Sequence, residues 1–179
     1  MVVICVILSK KRGKLKEEAM IRPFEKKDTE ELIRLMRDFR VHLAGLKESQ
    51  AMVDTEALRE ELEEYLSKGY PVLVAQEDEL LGYMVLRIDK PCLWLESIYV
   101  RESARRKGLA TELFRRAEQE ASQLGEETLY VNVHPNNHHM LLFLKSKGYD
   151  VLNLIEVRQP YRGELLTNEY RVGEHLFRY

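Results

Sequence analysis

Leu93-Trp94-Leu95-Glu96-Ser97-Ile98-Tyr99-Val100, followed closely by Arg105-Arg106-Lys107-Gly108-Leu109-Ala110, decides the fold of this chain. The first stretch is apolar, aromatic and β-branched, and it reads as a strand. Beyond the second, Leu109, Leu113, Ala117 and Leu124 recur at helical spacing with Phe114 beside them, which predicts a helix over 108–124. A basic, Gly-containing loop therefore joins a strand end to a helix start. Such a junction suits a phosphate, because the first-turn N–H groups are unpaired and the helix dipole is positive there. Gly108 lets the main chain approach an oxyanion with no Cβ in the way. Arg105, Arg106 and Lys107 add charge that a phosphate would neutralise. The plain alternative is a solvated basic turn.

Upstream, Ile21–Phe24 reads as a short strand. Asp28 with Glu31 has the form of a capping box before a helix over 29–44, whose buried face is Leu32, Leu35, Met36, Phe39 and Leu43. After a polar loop, Asp54 caps a second helix that buries Leu58, Leu62, Tyr65 and Leu66. Its opposite face is acidic and solvated. Two strand patterns, 71–76 and 80–88, flank the tight polar link Glu77-Asp78-Glu79 and predict an antiparallel hairpin. Downstream of the basic loop, 128–133 reads as a strand, 137–147 as a helix, and 149–157 and 170–179 as strands. The order is β-α-α-β-β-β-α-β-α-β-β, an α/β structure with a mostly antiparallel sheet and helices on its faces.

The 179 residues suffice for one domain with a substantial core. Met20-Ile21-Arg22-Pro23-Phe24 makes a natural domain start, so 1–19 reads as an extension and 20–179 as the domain. A balance of 28 basic against 30 acidic residues argues against bulk binding to nucleic acid. No apolar stretch is long enough to span a bilayer. Charge follows the apolar start instead of preceding it, against a signal peptide. Cys5 and Cys92 lack any metal or redox spacing, so both read as reduced thiols of a cytoplasmic protein. His134, His138 and His139 form a His-rich stretch, but with no cysteine or carboxylate at ligand spacing no metal site is expected.

Order and motif together resemble the GNAT superfamily of acetyl-CoA-dependent N-acyltransferases. The family signature Gln/Arg-x-x-Gly-x-Gly/Ala is met at Arg105, Gly108 and Ala110. Asn137 stands eleven residues before Gly148-Tyr149, a spacing found in many members. The resemblance implies that amides from Arg106 to Thr111, with Leu109 and Ala110 between, cradle the pyrophosphate of coenzyme A. It implies further that Ile98, Tyr99 and Val100 pair by backbone with the pantetheine arm, and that Asn137 hydrogen-bonds the cofactor. Asn137 is equally suited to capping its helix, and Asn136 is the better pure cap.

Acyl transfer to an amine needs a base for the amine, a donor for the thioester oxygen and a proton or dipole for the thiolate. Glu96, inside an apolar strand nine residues before Arg105, is the candidate base. The alternative is an outward Glu, or one paired with an arginine. By the resemblance, the oxygen meets an N–H at a bulge near Ser97 and Ile98. The position where many members carry a proton-donating Tyr is Leu144, which has no proton to give. Tyr99, Tyr149, His138 and His139 are the substitutes within the chain, and the alternative is a thiolate that leaves unassisted into solvent.

The resemblance places the acceptor between two connections, here 44–53 and 159–170. Their mixed charges select no substrate among protein N-termini, lysines and small amines. A homodimer is left open. Three functions follow: an acetyl-CoA-dependent N-acetyltransferase acting on a primary amine, a non-catalytic acyl-CoA-binding module, and an interaction protein whose basic loop is incidental.

Overall fold

The computed structural model describes residues 19–46 and 52–178. The 1–18 part of the expected extension lies outside them. The residues fall into two compact units, one ending at Met140 and the other running from Leu141.

In the first unit, strands β1 (Met20–Pro23), β2 (Val72–Gln76), β3 (Leu80–Asp89) and β4 (Cys92–Val100) form a sheet in that order. Every neighbouring pair is antiparallel. The expected hairpin is present, turning through 77–79 between β2 and β3. Helices α1 (Thr29–Gly45) and α2 (Thr55–Ser67) cover one face. Their Leu32, Ile33, Leu35, Met36, Leu58 and Leu62 meet Val72, Val74, Tyr83 and Val85 in one buried cluster. Helix α3 (Leu109–Gln123) packs on β2, β3 and β4 through a stripe of Leu113, Phe114, Ala117 and Ala121, all buried. Alternating β residues thus send apolar side chains to two helical layers, and the central strand β3 is buried along Leu80–Leu86.

Several expectations need correction. Leu66 and Leu124 are exposed at 42% and 50%, because each sits in the last turn, where its helix leaves the core. Asp28 does not cap α1 with its side chain. Its carboxylate accepts from both Arg22 guanidinium nitrogens at 2.6 and 2.8 Å and from the Glu25 N–H at 2.8 Å. Glu31 instead accepts from the Leu80 N–H at 3.0 Å, tying the start of α1 to the start of β3. Asp54 caps α2 as expected, accepting from the Glu56 N–H at 2.9 Å.

The expected strand 128–133 contracts to one parallel bridge, Tyr130 with Trp94. Leu95 donates to the Tyr130 carbonyl and Tyr130 to the Leu93 carbonyl, each at 2.8 Å. Helix α4 (His138–Ser146) follows and crosses the boundary between the units. In the second unit the expected strand 149–157 is not formed; Tyr149 is half-buried and 150–157 are exposed. The final expected strand is a hairpin of β5 (Glu169–Val172) and β6 (His175–Arg178), because Gly173 at φ +60° allows a turn midway.

Candidate active site

Strand β4 changes character halfway. Val85 of β3 faces Ser97 and Leu86 faces Leu95, so Glu96 is an extra residue in a β-bulge. Upstream of it, the outer edge of β4 is bonded to Tyr130. Downstream, Ser97 and Tyr99 pair with β3, and the Arg101 N–H donates to the Leu81 carbonyl at 2.8 Å. By the alternation of an antiparallel ladder, the Ile98 N–H and C=O then face the open edge. No described residue bonds them. The bulge lies one residue before its expected place and opens the sheet there.

The chain leaves β4 through a 3-10 turn, Glu102–Ala104, and enters the basic loop. Arg106 at φ +64° and Gly108 at φ +86° are both left-handed. Two such residues in one short loop turn successive N–H groups to the same side. Among the described residues, no partner takes the N–H groups of Arg106, Lys107, Gly108, Leu109, Ala110 or Thr111. Gly108 is the residue before α3, and its carbonyl accepts from Glu112 at 3.0 Å. A Cβ built on Gly108 meets nothing within 4 Å. The space in front of the loop is therefore open, and these donors suit an anion.

The three cations divide their work. Arg105 turns back, donating Nε–H to the Val100 carbonyl at 3.0 Å with its guanidinium 5.5 Å over the Tyr99 ring. It staples the loop to the strand end and occupies one of the backbone groups expected to meet the ligand. Arg106 and Lys107 are exposed and make no ion pair among the described residues. Tyr99 also packs on Phe39 of α1 at 6.0 Å. Burial raises the Tyr99 phenol above its usual range, with Arg105 opposing, so it keeps its proton. His42, one turn after Phe39, is held below the usual imidazole range by burial and then by Arg105 and His139.

Glu96 is not in an apolar pocket. It accepts from Arg87 Nε at 2.8 Å, and the Arg87 guanidinium also meets Asp89 at 3.0 Å and lies 5.0 Å over the Trp94 ring. Trp94 stacks on Tyr130 at 5.2 Å. Arg87 faces Trp94 across the ladder, which is why its side chain reaches the bulge. The arginine-paired alternative is thus the geometry present. Near it, Tyr83 is fully buried with its hydroxyl on Ser97, and burial raises it.

Of the two asparagines, Asn137 and not the expected Asn136 is the cap. Asn137 Oδ1 caps α4, accepting from the Met140 N–H at 3.2 Å. Asn136 Nδ2 donates to the Leu46 carbonyl at 3.0 Å and fastens this segment to the end of α1. The Asn137 Nδ2 has no partner among the described residues, so one amide serves the cap and keeps two donors. Sequence reasoning missed Phe39, His42, Arg87 and the Asn136 tie. Only the position of Phe39 on the inner face of α1 hinted at any of them. Among the described residues, no group of three His, Cys, Asp or Glu side chains is placed to hold a metal.

The model of the acetyltransferase (GNAT) family matches residues 30–149, which contain the bulge, the loop and Asn137. The chain belongs to this family. Solved structures similar to this GNAT chain include AAC(6')-Iy in complex with a bisubstrate analogue, CoA-S-monomethyl-acetylneamine, at 18% identity and TM-score 0.65, covering 80% of this chain and 99% of that one. A second is the aminoglycoside 6'-N-acetyltransferase AAC(6')-IG of Acinetobacter haemolyticus, at 19% identity and TM-score 0.61, with 81% and 99% covered. A possible acetyltransferase from Clostridium difficile 630 aligns at 17% identity and TM-score 0.67, with 81% and 100% covered. At such identities the likeness is one of fold. A search of the curated proteins found no match.

Proposed function

We propose that this chain is an acetyl-CoA-dependent N-acetyltransferase, transferring the acetyl group to a primary amine by direct attack on the thioester. The observation that carries the reading is the run of unpartnered N–H groups from Arg106 to Thr111, set beside the open edge of β4. In it, the loop N–H groups hold the diphosphate and Ile98 meets the pantetheine amide. The Asn137 Nδ2 donates to the cofactor, and residues 20–179 act as the transferase domain. Bound acetyl-CoA supplies an activated acyl group on a thiol leaving group. In this reading the amide exposed at the bulge donates to the carbonyl oxygen as negative charge grows on it. Tyr99, protonated and beside the loop, gives the thiolate its proton in place of Leu144 in this reading, with His138 and His139 as the other donors of the same unit.

Glu96 takes the amine proton, directly or through water, once the approach of a cationic amine competes with Arg87 for its carboxylate. Glu96→Gln should lower kcat at least tenfold at neutral pH and leave acetyl-CoA affinity unchanged; equal turnover across pH would remove Glu96 from the mechanism. A second reading, an acyl-CoA-binding module without efficient transfer, is favoured by the Glu96–Arg87 pair and by Leu144. A shallow pocket lined by Arg40, Met52, Val53, Asp54, Ala57, Leu58 and Glu61 touches the end of the first of the two connections that the resemblance assigns to the acceptor. Its carboxylates are engaged, Asp54 by the α2 cap and Glu61 by Arg40 at 2.6 Å, so it selects no amine. Calorimetry with acetyl-CoA tests binding. Thiol release with a library of amines then separates the two readings and identifies the acceptor.

A further inference from the structure

Among the described residues, Gly82 of β3 is the one glycine with no room for a side chain. A Cβ there would lie 2.7 Å from the Tyr99 carbonyl oxygen, 3.1 Å from Val100 Cγ2 and 3.3 Å from Val100 Cα, where ordinary contacts begin at 3.4 Å. Its φ is not positive, so the main chain does not call for glycine here. The close approach of β4 does. Glycine inside a strand lowers stability, because it packs nothing and is freer in the unfolded chain.

The crowding sits at the root of the basic loop. Gly82 faces Val100, the last residue of β4. On one side Tyr83 pairs with Tyr99, and on the other the Arg101 N–H donates to the Leu81 carbonyl at 2.8 Å. Gly82 and Val100 are thus the non-hydrogen-bonded pair between two bonded ones, the closest approach in an antiparallel ladder. The Val100 carbonyl, on the outer side, accepts from Arg105 Nε at 3.0 Å. The chain from Val100 to Arg105 has no slack. Arg101 meets Glu79 at 2.6 Å, the Ala104 N–H donates to the Arg101 carbonyl at 2.9 Å, and the Arg105 N–H donates to the Glu102 carbonyl at 3.1 Å. Movement of Val100 therefore carries the start of the loop with it.

A Cβ on Gly82 would force that movement. β3 cannot yield, since it is buried along Leu80–Leu86 with β2 bonded to its far side and helices on both faces. The downstream half of β4 gives way instead, towards its own open edge, by several tenths of an ångström.

We propose that Gly82 is a positioning residue for cofactor binding: its bare α-carbon seats Tyr99 and Val100 against β3, and so sets where the open edge of β4 and the N–H groups of Arg106 to Thr111 meet acetyl-CoA. The proposal rests on the reading of that loop as the coenzyme A cradle. The loop N–H groups converge on a diphosphate only while their root is in place, and a binding site tolerates about 0.5 Å of misplacement.

Calorimetry with acetyl-CoA on the full chain, beside thermal melts, compares the parent with Gly82→Ala and Val74→Ala. Val74 is buried against α1 and α2 on β2, with β3 between it and β4, so its truncation lowers the melting temperature without touching the loop root. Val74→Ala should bind acetyl-CoA as the parent does, and Gly82→Ala at least about tenfold more weakly. By heteronuclear NMR of the ligand-free chain, the amide resonances of 106–111 should move in Gly82→Ala and stay in place in Val74→Ala, a split that lost stability alone does not produce. The same substitution made in Val100→Ala, where the Cγ2 contact is gone, and compared with Val100→Ala, carries the test if Gly82→Ala does not fold. A parent that fails to bind acetyl-CoA overturns the loop reading and this proposal with it. With a parent that binds, Gly82→Ala affinity within about threefold of it, an equal loss in Val74→Ala, or unmoved loop amides overturns this proposal alone.

Discussion

Replacing Gly108 separates the loop's fold from its ligand. The residue sits at φ +86° just before α3, and an added Cβ meets no atom of the chain within 4 Å. Gly108→Ala therefore carries only the dihedral penalty, about 1–2 kcal/mol, which lowers the melting temperature by about 2–8 °C for a chain of this size. Gly108→Glu carries the same penalty and also sets a carboxylate beside the six unpartnered N–H groups. At about 7 Å from a diphosphate and an effective dielectric constant of about 20, repulsion costs about 2 kcal/mol per phosphate charge. Acetyl-CoA affinity should then fall more than about a hundredfold after screening. Calorimetry with acetyl-CoA, alongside thermal melts of both variants, reads the two effects apart. If Gly108→Glu melts like Gly108→Ala yet binds within tenfold of the parent, the loop is not the anion cradle.

Asn137→Asp keeps an oxygen to cap α4 and removes both amide donors, so it should melt normally and bind acetyl-CoA about tenfold more weakly. Asn137→Ala loses the cap as well, about 1 kcal/mol, and an unchanged affinity in both variants would leave Asn137 a cap alone. Asp28→Ala strands the largely covered Arg22 guanidinium and should destabilise by about 2–3 kcal/mol, read from urea unfolding. Hydrogen bonding from Arg22 holds the Asp28 carboxyl below its ordinary 3.8, so its contribution is present above that value and is lost as pH falls through the lower folded one. The parent should therefore lose stability more steeply than Asp28→Ala on acidification below 3.8, and parallel curves would count against the pair.

Elements with their own local signal were legible in the chain. α2 shows its cap at Asp54, the β2–β3 hairpin its polar link, and α3 its apolar stripe after a glycine. Features settled by tertiary competition were not. Asp28 has the spacing of a cap, but a half-buried arginine six residues away holds its oxygens in place of the helix N–H. Glu96 is surrounded in sequence by apolar residues, yet its setting comes from Arg87 on the neighbouring strand. Residues 128–133 carry strand propensity except at Asn132, and only Tyr130 bridges to β4, which bulges just past the bridge. Which asparagine capped α4 depended on Leu46, ninety positions away along the chain.

The single surplus residue in β4 re-phases everything after it. Ahead of Glu96, even-numbered Trp94 shares a sheet face with Arg87; after it, odd-numbered Ser97 and Tyr99 occupy that same face, beside Tyr83 and Phe39. The rim switches parity too, from Leu95 tied into the fold to Ile98 left with its main chain unspent. Deleting one amino acid here would keep every side chain of the later half and point each to the wrong side. The register of one short strand, rather than any special residue in it, separates the half whose rim is joined to the fold from the half whose rim stays open.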